Sequence, residues 1–144
     1  MTSEAGKRSV AKLAADANVI LSAVMGRAAL RVFTESDSVV VSTESVMAEV
    51  REYLPILAEK YDLVREALEL QFKLLAVKEY PQEHYESHLE EAERQIGARD
   101  PDDVDLLALA LDVPVWTNDR DFEITNVARY TTAQLLKALG MRGR

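Results

Sequence analysis

Aspartates crowd one short part of the chain. Asp100-Pro101-Asp102-Asp103-Val104-Asp105 runs into the apolar Leu106-Leu107-Ala108-Leu109-Ala110-Leu111. A second apolar segment, Val113-Pro114-Val115-Trp116, leads into Thr117-Asn118-Asp119-Arg120-Asp121-Phe122. Six aspartates therefore stand at the mouths of two apolar elements. Two unit charges about 4 Å apart repel by roughly 4 kcal/mol at an effective dielectric of about 20. Such a group needs a proton, a basic partner or a metal ion. Carboxylates beside a cleft suit Mg²⁺ or Mn²⁺, which prefer oxygen ligands and keep several waters. Two such ions can hold a phosphodiester and neutralise its leaving oxygen. The chain has no cysteine, and no Ser–His pair or glycine-rich phosphate loop stands out. Metal-assisted hydrolysis is the chemistry these residue types favour.

Composition narrows the setting. The 144 residues suit a single domain with a real core. Residues 1–10 read as a loose leader, 11–140 as the domain and 141–144 as a tail. The leader has no apolar signal region, and no apolar run approaches the roughly 18 residues of a membrane span. A soluble cytoplasmic protein is expected, consistent with the absence of cysteine. Formal net charge is -8, from 17 basic and 25 acidic residues. That argues against gripping nucleic acid by bulk electrostatics, but not against a nuclease whose acids are covered by divalent cations.

The elements that would position the acids follow from periodicity. Lys12-Leu13-Ala14-Ala15 reads as a buried strand ending at Asp16, and Asp16-Ala17-Asn18 opens a helix over Val19–Val24. Gly26 interrupts, and Ala28–Phe33 is again helical. The β-branched run at Ser38–Val41 is the clearest strand, and Ser42-Thr43-Glu44 supplies cap chemistry for a helix that carries Glu49. Pro55 marks a boundary, and Leu57 to Leu75 predicts one long amphipathic helix. Val77–Tyr80 reads as a third strand, and Pro81 opens a polar, solvated helix. Asp100 suits a helix N-cap with Pro101 at the first helical position. Val113–Trp116 and Val127–Tyr130 are the last strands, and Thr131-Thr132 caps a helix that Gly140 stops. Short strands alternating with helices imply an α/β sandwich with a mainly parallel sheet. Ligands bind such sheets outside the carboxyl ends of the strands, where Asp16, Asp103 and Asp119 can meet.

Four motifs in this order resemble the PIN-domain nucleases, the group that includes VapC-type toxins: Asp16-Ala17-Asn18-Val19-Ile20-Leu21, Ser42-Thr43-Glu44 through Glu49-Val50, Arg99-Asp100-Pro101-Asp102-Asp103, and Thr117-Asn118-Asp119-Arg120-Asp121-Phe122. The likeness runs from about Lys12 to Leu139 and is weakest over Pro55–Glu93. It implies a three-layer fold with a five-stranded, mainly parallel sheet between helices. It also implies a Mg²⁺- or Mn²⁺-dependent ribonuclease of single-stranded or structured RNA, the toxin of a toxin–antitoxin pair, working as a homodimer. By that likeness Asp16, Glu49, Asp103 and Asp119 are the catalytic acids and metal ligands. Asn18 and Thr117 would orient them by hydrogen bonds, and Asp121 would be a supplementary acid. Asp100 and Asp105 are alternative occupants of the third position. The implied reaction is in-line attack of an activated water on phosphorus, giving a 5′-phosphate and a 3′-hydroxyl.

Blander roles compete. Asp100 reads as a helix cap, Asp102 and Asp105 as solvated acids, and Glu49 resembles many surface glutamates. His84 and His88, at i and i+4, lack the adjacent glutamate of zinc proteases and read as a surface pair. Trp116 reads as core ahead of a base-stacking platform. A second function class is a PIN-like binding module that no longer cuts; the full set of four acids favours the enzyme. A dehalogenase-type phosphotransferase needs an aspartate where Asn18 stands, and a receiver domain needs an acidic pair before the end of the first strand.

Overall fold

The computed structural model describes residues 10–141. Among these, five strands form one all-parallel sheet in the order β3-β2-β1-β4-β5. The strands are β1 (Lys12–Ala15), β2 (Val39–Thr43), β3 (Val77–Tyr80), β4 (Val115–Trp116) and β5 (Arg129–Tyr130). The helices are α1 (Ala17–Val24), α2 (Leu30–Glu35), α3 (Glu44–Lys60), α4 (Arg65–Leu74), α5 (Leu89–Ala92), α6 (Val104–Ala110) and α7 (Thr132–Ala138). They flank the sheet as the outer layers of a three-layer α/β fold, as the sequence pattern and the family likeness both imply. Strand order reverses between β1 and β4, so a crevice opens where these two strands end.

Alanine-rich β1 is a weak strand by propensity, but it lies at the centre of the sheet. Leu13, Ala14 and Ala15 are wholly buried, with β2 on one side and β4 on the other. Small side chains here let the helices pack closely on both faces. Trp116 is also wholly buried, stacked at a tilt on Phe33 with ring centroids 5.7 Å apart. Its indole N–H donates to Thr132 Oγ1 at 3.0 Å, so the ring is core and unavailable to a base. Among the described residues, no helix is long and apolar enough to cross a membrane.

Several expectations need correction. The leader reading falls on residues 1–9, which lie outside the described residues, but Val10 is buried and its carbonyl accepts from Ser38 Oγ at 2.6 Å. Residues 142–144 of the tail also lie outside them. Pro55 is no boundary: α3 runs through it to Lys60. Val46, Met47, Val50, Leu54 and Ala58 bury one continuous face, and that burial outweighs the one backbone hydrogen bond a proline removes. The long helix expected from Leu57 to Leu75 is two, α3 and α4, because Asp62 takes a left-handed conformation with φ 54. Asp62 N–H donates to Glu59 O at 3.3 Å and Leu63 N–H to Ala58 O at 2.8 Å, which closes α3. The polar helix expected from Pro81 is a series of short turns around α5, tied to the core by Tyr85, Ala92 and Ile96. The last two strands are two residues each, shorter than read from sequence.

The left-handed Asp62 generates a prediction. Asp62→Gly removes the Cβ strain at this φ and is expected to stabilise the fold by up to about 1 kcal/mol, whereas Asp62→Val destabilises it by about as much. Chemical denaturation of both variants measures this; equal midpoints would contradict the account.

Candidate active site

Asp16 follows β1 and caps α1: its Oδ1 accepts from Val19 N–H at 2.8 Å. Its Oδ2 accepts a short hydrogen bond from the Thr117 hydroxyl, which comes from the end of β4. Both residues are buried, Asp16 at 8% and Thr117 at 0% exposure. The Thr117 oxygen also accepts from Asp119 N–H at 3.0 Å, and Asp119 Oδ1 accepts from Asp121 N–H at 2.8 Å. A hydrogen-bonded chain thus joins the ends of the two central strands. On the other side of β1, Ser42 Oγ donates to Ala15 O at 2.7 Å. Thr43 caps α3 through Val46 N–H at 3.0 Å, which starts the helix bearing Glu49.

The remaining acids arrive on the first turn of α6 and the segment before it. Asp100 makes no side-chain cap, contrary to its expected role. Its carboxyl group instead lies beside that of Asp103. Burial pushes Asp103 up to about 8, with the neighbouring Asp100, then Asp119 and Asp16, adding to the rise. Asp16 is also raised, first by burial and also by Asp119, against the hydrogen bonds from Thr117 and Val19. Glu49 is raised by partial burial, then by Asp102, Asp16, Glu52 and Asp100, although much of its side chain is exposed. Asp16, Asp103 and Asp119 therefore come together at the sheet's carboxyl edge, with Glu49 at the rim.

The densest oxygen cluster is a different trio. Asp100, Asp119 and Asp121 offer carboxylate oxygens within 4.8 Å of one another. Of these, Asp119 belongs to the four acids expected from sequence, Asp121 is the expected supplementary acid and Asp100 a stand-in for the third. Asp121 is partly engaged already, since its Oδ1 accepts from Arg99 Nε at 3.0 Å. Asp105, a candidate stand-in, turns the other way: its Oδ2 accepts from the buried Tyr85 hydroxyl at 2.6 Å. That bond straps the variable segment to the start of α6, two residues from Asp103. Asp102 is exposed and acts on Glu49. Asn18 meets Asp16 through its backbone N–H, while its side chain faces an open cavity. His84 stacks on Tyr80 at 3.9 Å and His88 pairs with Asp112 at 3.0 Å, so the two histidines have separate partners.

Sequence reasoning missed Arg99 and Tyr85 as parts of this neighbourhood and gave Asp100 the wrong local role. An Asp-Pro start to a helix looks the same whether the carboxylate caps the helix or turns to a neighbouring acid. No local pattern distinguishes the two.

This arrangement can bind a hard cation. Every side-chain donor is a carboxylate, each oxygen has lone pairs left after its hydrogen bonds, and carboxylates gathered within 4.8 Å concentrate negative charge that a cation would offset. A family model described as "PIN domain" matches residues 15–140. No curated protein sequence matches the chain. Among solved structures, PAE2754 from Pyrobaculum aerophilum is similar with a TM-score of 0.63 and 15% identity, over 91% of this chain and 90% of that one. Mycobacterium tuberculosis VapC20 (Rv2549c), a Sarcin-Ricin loop cleaving toxin, is similar with a TM-score of 0.52 and 16% identity, over 81% of this chain and 96% of that one. At such identities these likenesses speak for the fold, which the family model and the acid-lined crevice complete: the chain belongs to the PIN-domain nuclease family.

Proposed function

We propose that this protein is a Mg²⁺- or Mn²⁺-dependent endoribonuclease that hydrolyses phosphodiesters of single-stranded RNA, the toxin of a toxin–antitoxin pair. The observation that carries the reading is geometric: where β1 and β4 end, Asp103 lies beside Asp16 and Asp119, and Asp100, Asp119 and Asp121 offer carboxylate oxygens within 4.8 Å of one another. Asp16, Asp100, Asp103 and Asp119 are the residues we assign to the cation, with Glu49 and Asp121 at its edge. Asp100 enters this set because its carboxylate gathers with that of Asp119. A bound divalent cation would draw charge from the phosphodiester and acidify water at the site.

The chain's own residues do the positioning. Val19 N–H and the Thr117 hydroxyl hold the Asp16 carboxylate in one orientation. Thr117 hands that order on to Asp119 through the Asp119 N–H. Glu49, with its raised affinity for a proton, is suited to move one at the edge of the site. Arg99, held by Asp121, stands where a phosphate approaching the acids would meet a positive charge. The proposal includes a cytoplasmic location, a cognate antitoxin and a homodimer; the exposed Ile56, Leu70 and Leu74 leave apolar surface for such contacts.

Asp16→Asn and Asp103→Asn are each expected to lower cleavage of single-stranded RNA more than about 100-fold, whereas Thr117→Val, which only loosens a ligand, falls in the range of about 10–100-fold. Gel assays with added Mg²⁺ or Mn²⁺, on protein freed of contaminating nuclease, measure this. Undiminished cleavage by either asparagine variant would remove the assignment. A folded wild type that binds the cation and RNA but never cuts would favour the binding-module reading.

Asp103 sets a pH dependence for the metal-free protein. Its folded value, about 8, lies above the ordinary 3.8. The folded state therefore holds the proton more tightly than the unfolded state, and stability falls as pH rises from 3.8 toward 8. Asp16 and Glu49 act in the same direction. Thermal melts in chelator should show a Tm that declines across this window, a flatter profile for Asp103→Asn, and recovery at the alkaline end when Mn²⁺ is added. A chelated wild type with the same slope as Asp103→Asn would count against the raised Asp103.

A further inference from the structure

A second feature lies beside the acids, where α1 and α3 end side by side. Gly26, with φ 79, closes α1: its N–H donates to Ala23 O at 3.0 Å and Arg27 N–H to Ser22 O at 3.0 Å. Arg27 is thereby set just past the helix end. Tyr61 is the C-cap residue of α3, immediately before the left-handed Asp62. The Arg27 guanidinium carbon lies 5.9 Å and Lys60 Nζ 5.3 Å from the centroid of the Tyr61 ring. An open cavity of about 270 Å³ lies between the two ends. Its polar lining is Asn18, Ser22, Arg27 and Tyr61, over an apolar floor that includes Leu21 and Leu57. Asn18 is two residues from Asp16 on the same helix, so the cavity begins next to the acids and leads away from them along α1.

Charge marks this place as unusual. Every other described arginine has a carboxylate within ion-pair distance. Among the described residues Arg27 is in no ion pair, although the chain has 25 acidic residues; Lys60, like the other described lysines, is in none either. Cations at helix ends do offset the helix dipole. Yet that role needs neither an open cavity nor an aromatic ring 43% exposed between them. The Tyr61 hydroxyl is pulled below its ordinary range, first by the Arg27 hydrogen bond and then by the Lys60 charge, so both cations face it. Single-stranded nucleic acid is bound by this combination of cations along a groove for phosphates and an exposed aromatic face for an unstacked base.

We propose that the cavity between α1 and α3 is a subsite for a nucleotide of single-stranded RNA at the far end of α1 from the acids, about 12 Å along the bound strand, with Tyr61 as the base platform and Arg27 and Lys60 as phosphate contacts. Asn18 is the polar group that reads the passage from subsite to acids. The subsite rests on the ribonuclease reading for its substrate, but its geometry is separate from the acid cluster. With Trp116 shut in the core, Tyr61 is the exposed aromatic side chain that lines this cavity.

Binding and cleavage test it independently. Binding is read by fluorescence anisotropy of a labelled single-stranded RNA on the full chain in an Asp16→Asn background with Mg²⁺; cleavage kinetics use the otherwise unaltered protein. Tyr61→Ala is expected to weaken binding about ten-fold, while Tyr61→Phe stays within about two-fold. Arg27→Gln with Lys60→Gln should lower the log–log salt slope by about 1 to 2. In cleavage the loss should fall on KM, and a duplex of the same sequence should be insensitive to Tyr61→Ala. Circular dichroism confirms that each variant is folded. The subsite is overturned if Tyr61→Ala binds single strands like the parent, if Tyr61→Phe is as weak as Tyr61→Ala, or if the salt slope does not move in the double variant. Cleavage with no dependence on Tyr61 sinks the subsite and leaves the nuclease reading standing. Tyr61-dependent binding without metal-dependent cleavage does the reverse.

Discussion

The hydroxyl of Thr117 is the contact on which this site is built. It donates to Asp16 and accepts from the Asp119 backbone, so one buried oxygen ties the ends of two neighbouring parallel strands. Asp16 would otherwise be a carboxylate at 8% exposure with backbone N–H partners alone. A buried charge is tolerated only when its hydrogen bonds are satisfied, and Thr117 supplies the missing one. Because β1 and β4 are in register, with Ala15 opposite Trp116, the next residues of both strands arrive side by side. The acid site is thus a consequence of sheet pairing before it is one of helix chemistry.

Around that link the carboxylates show two kinds of balance. Asp16 is held by hydrogen bonds that oppose the effect of burial. Asp103 is pushed up by burial and by the neighbouring Asp100, Asp119 and Asp16. Arg99 relieves part of the charge at Asp121, on the solvent side. The crevice therefore has a positive-charge deficit that is greatest between Asp100, Asp103 and Asp119. The Tyr85–Asp105 bond lies behind this group and fixes the start of α6, so the short turns from Pro81 onward are a brace for the acids as well as a connection.

The cations at Arg27 and Lys60 complete the electrostatic picture. A chain of net charge -8 cannot draw RNA by its overall field. In the proposed reading local groups do that work, placed by two helix ends, each closed by a residue in the left-handed conformation. Exposed cations beside an aromatic ring at one end of α1, and acids at the other, give the helix an axis along which a strand of alternating phosphates and bases can lie.

The α/β class, the central strands and the motifs that carry Asp16, Thr117 and Asp119 were legible in the residues, because strand and helix periodicities are local and these residues directly follow apolar runs. Glu49 and Asp103 were also legible as neighbours of the site, since the N-terminal parts of helices in such a fold lie at the carboxyl edge of the sheet. What the residues could not reveal was which way crowded aspartates turn. Asp100, Asp102, Asp103 and Asp105 are near-equivalent in sequence, but a helical turn sends them to different neighbours: Asp103 toward Asp100 and Asp16, Asp105 toward Tyr85. The break at Asp62 was hidden because the apolar spacing continues across it, and the passage through Pro55 because burial of one face outweighed a local penalty. Chain order supplied the parts and their ends; only three-dimensional packing decided partners, since hydrogen bonds and ion pairs depend on distances between residues as far apart as Asp16 and Thr117.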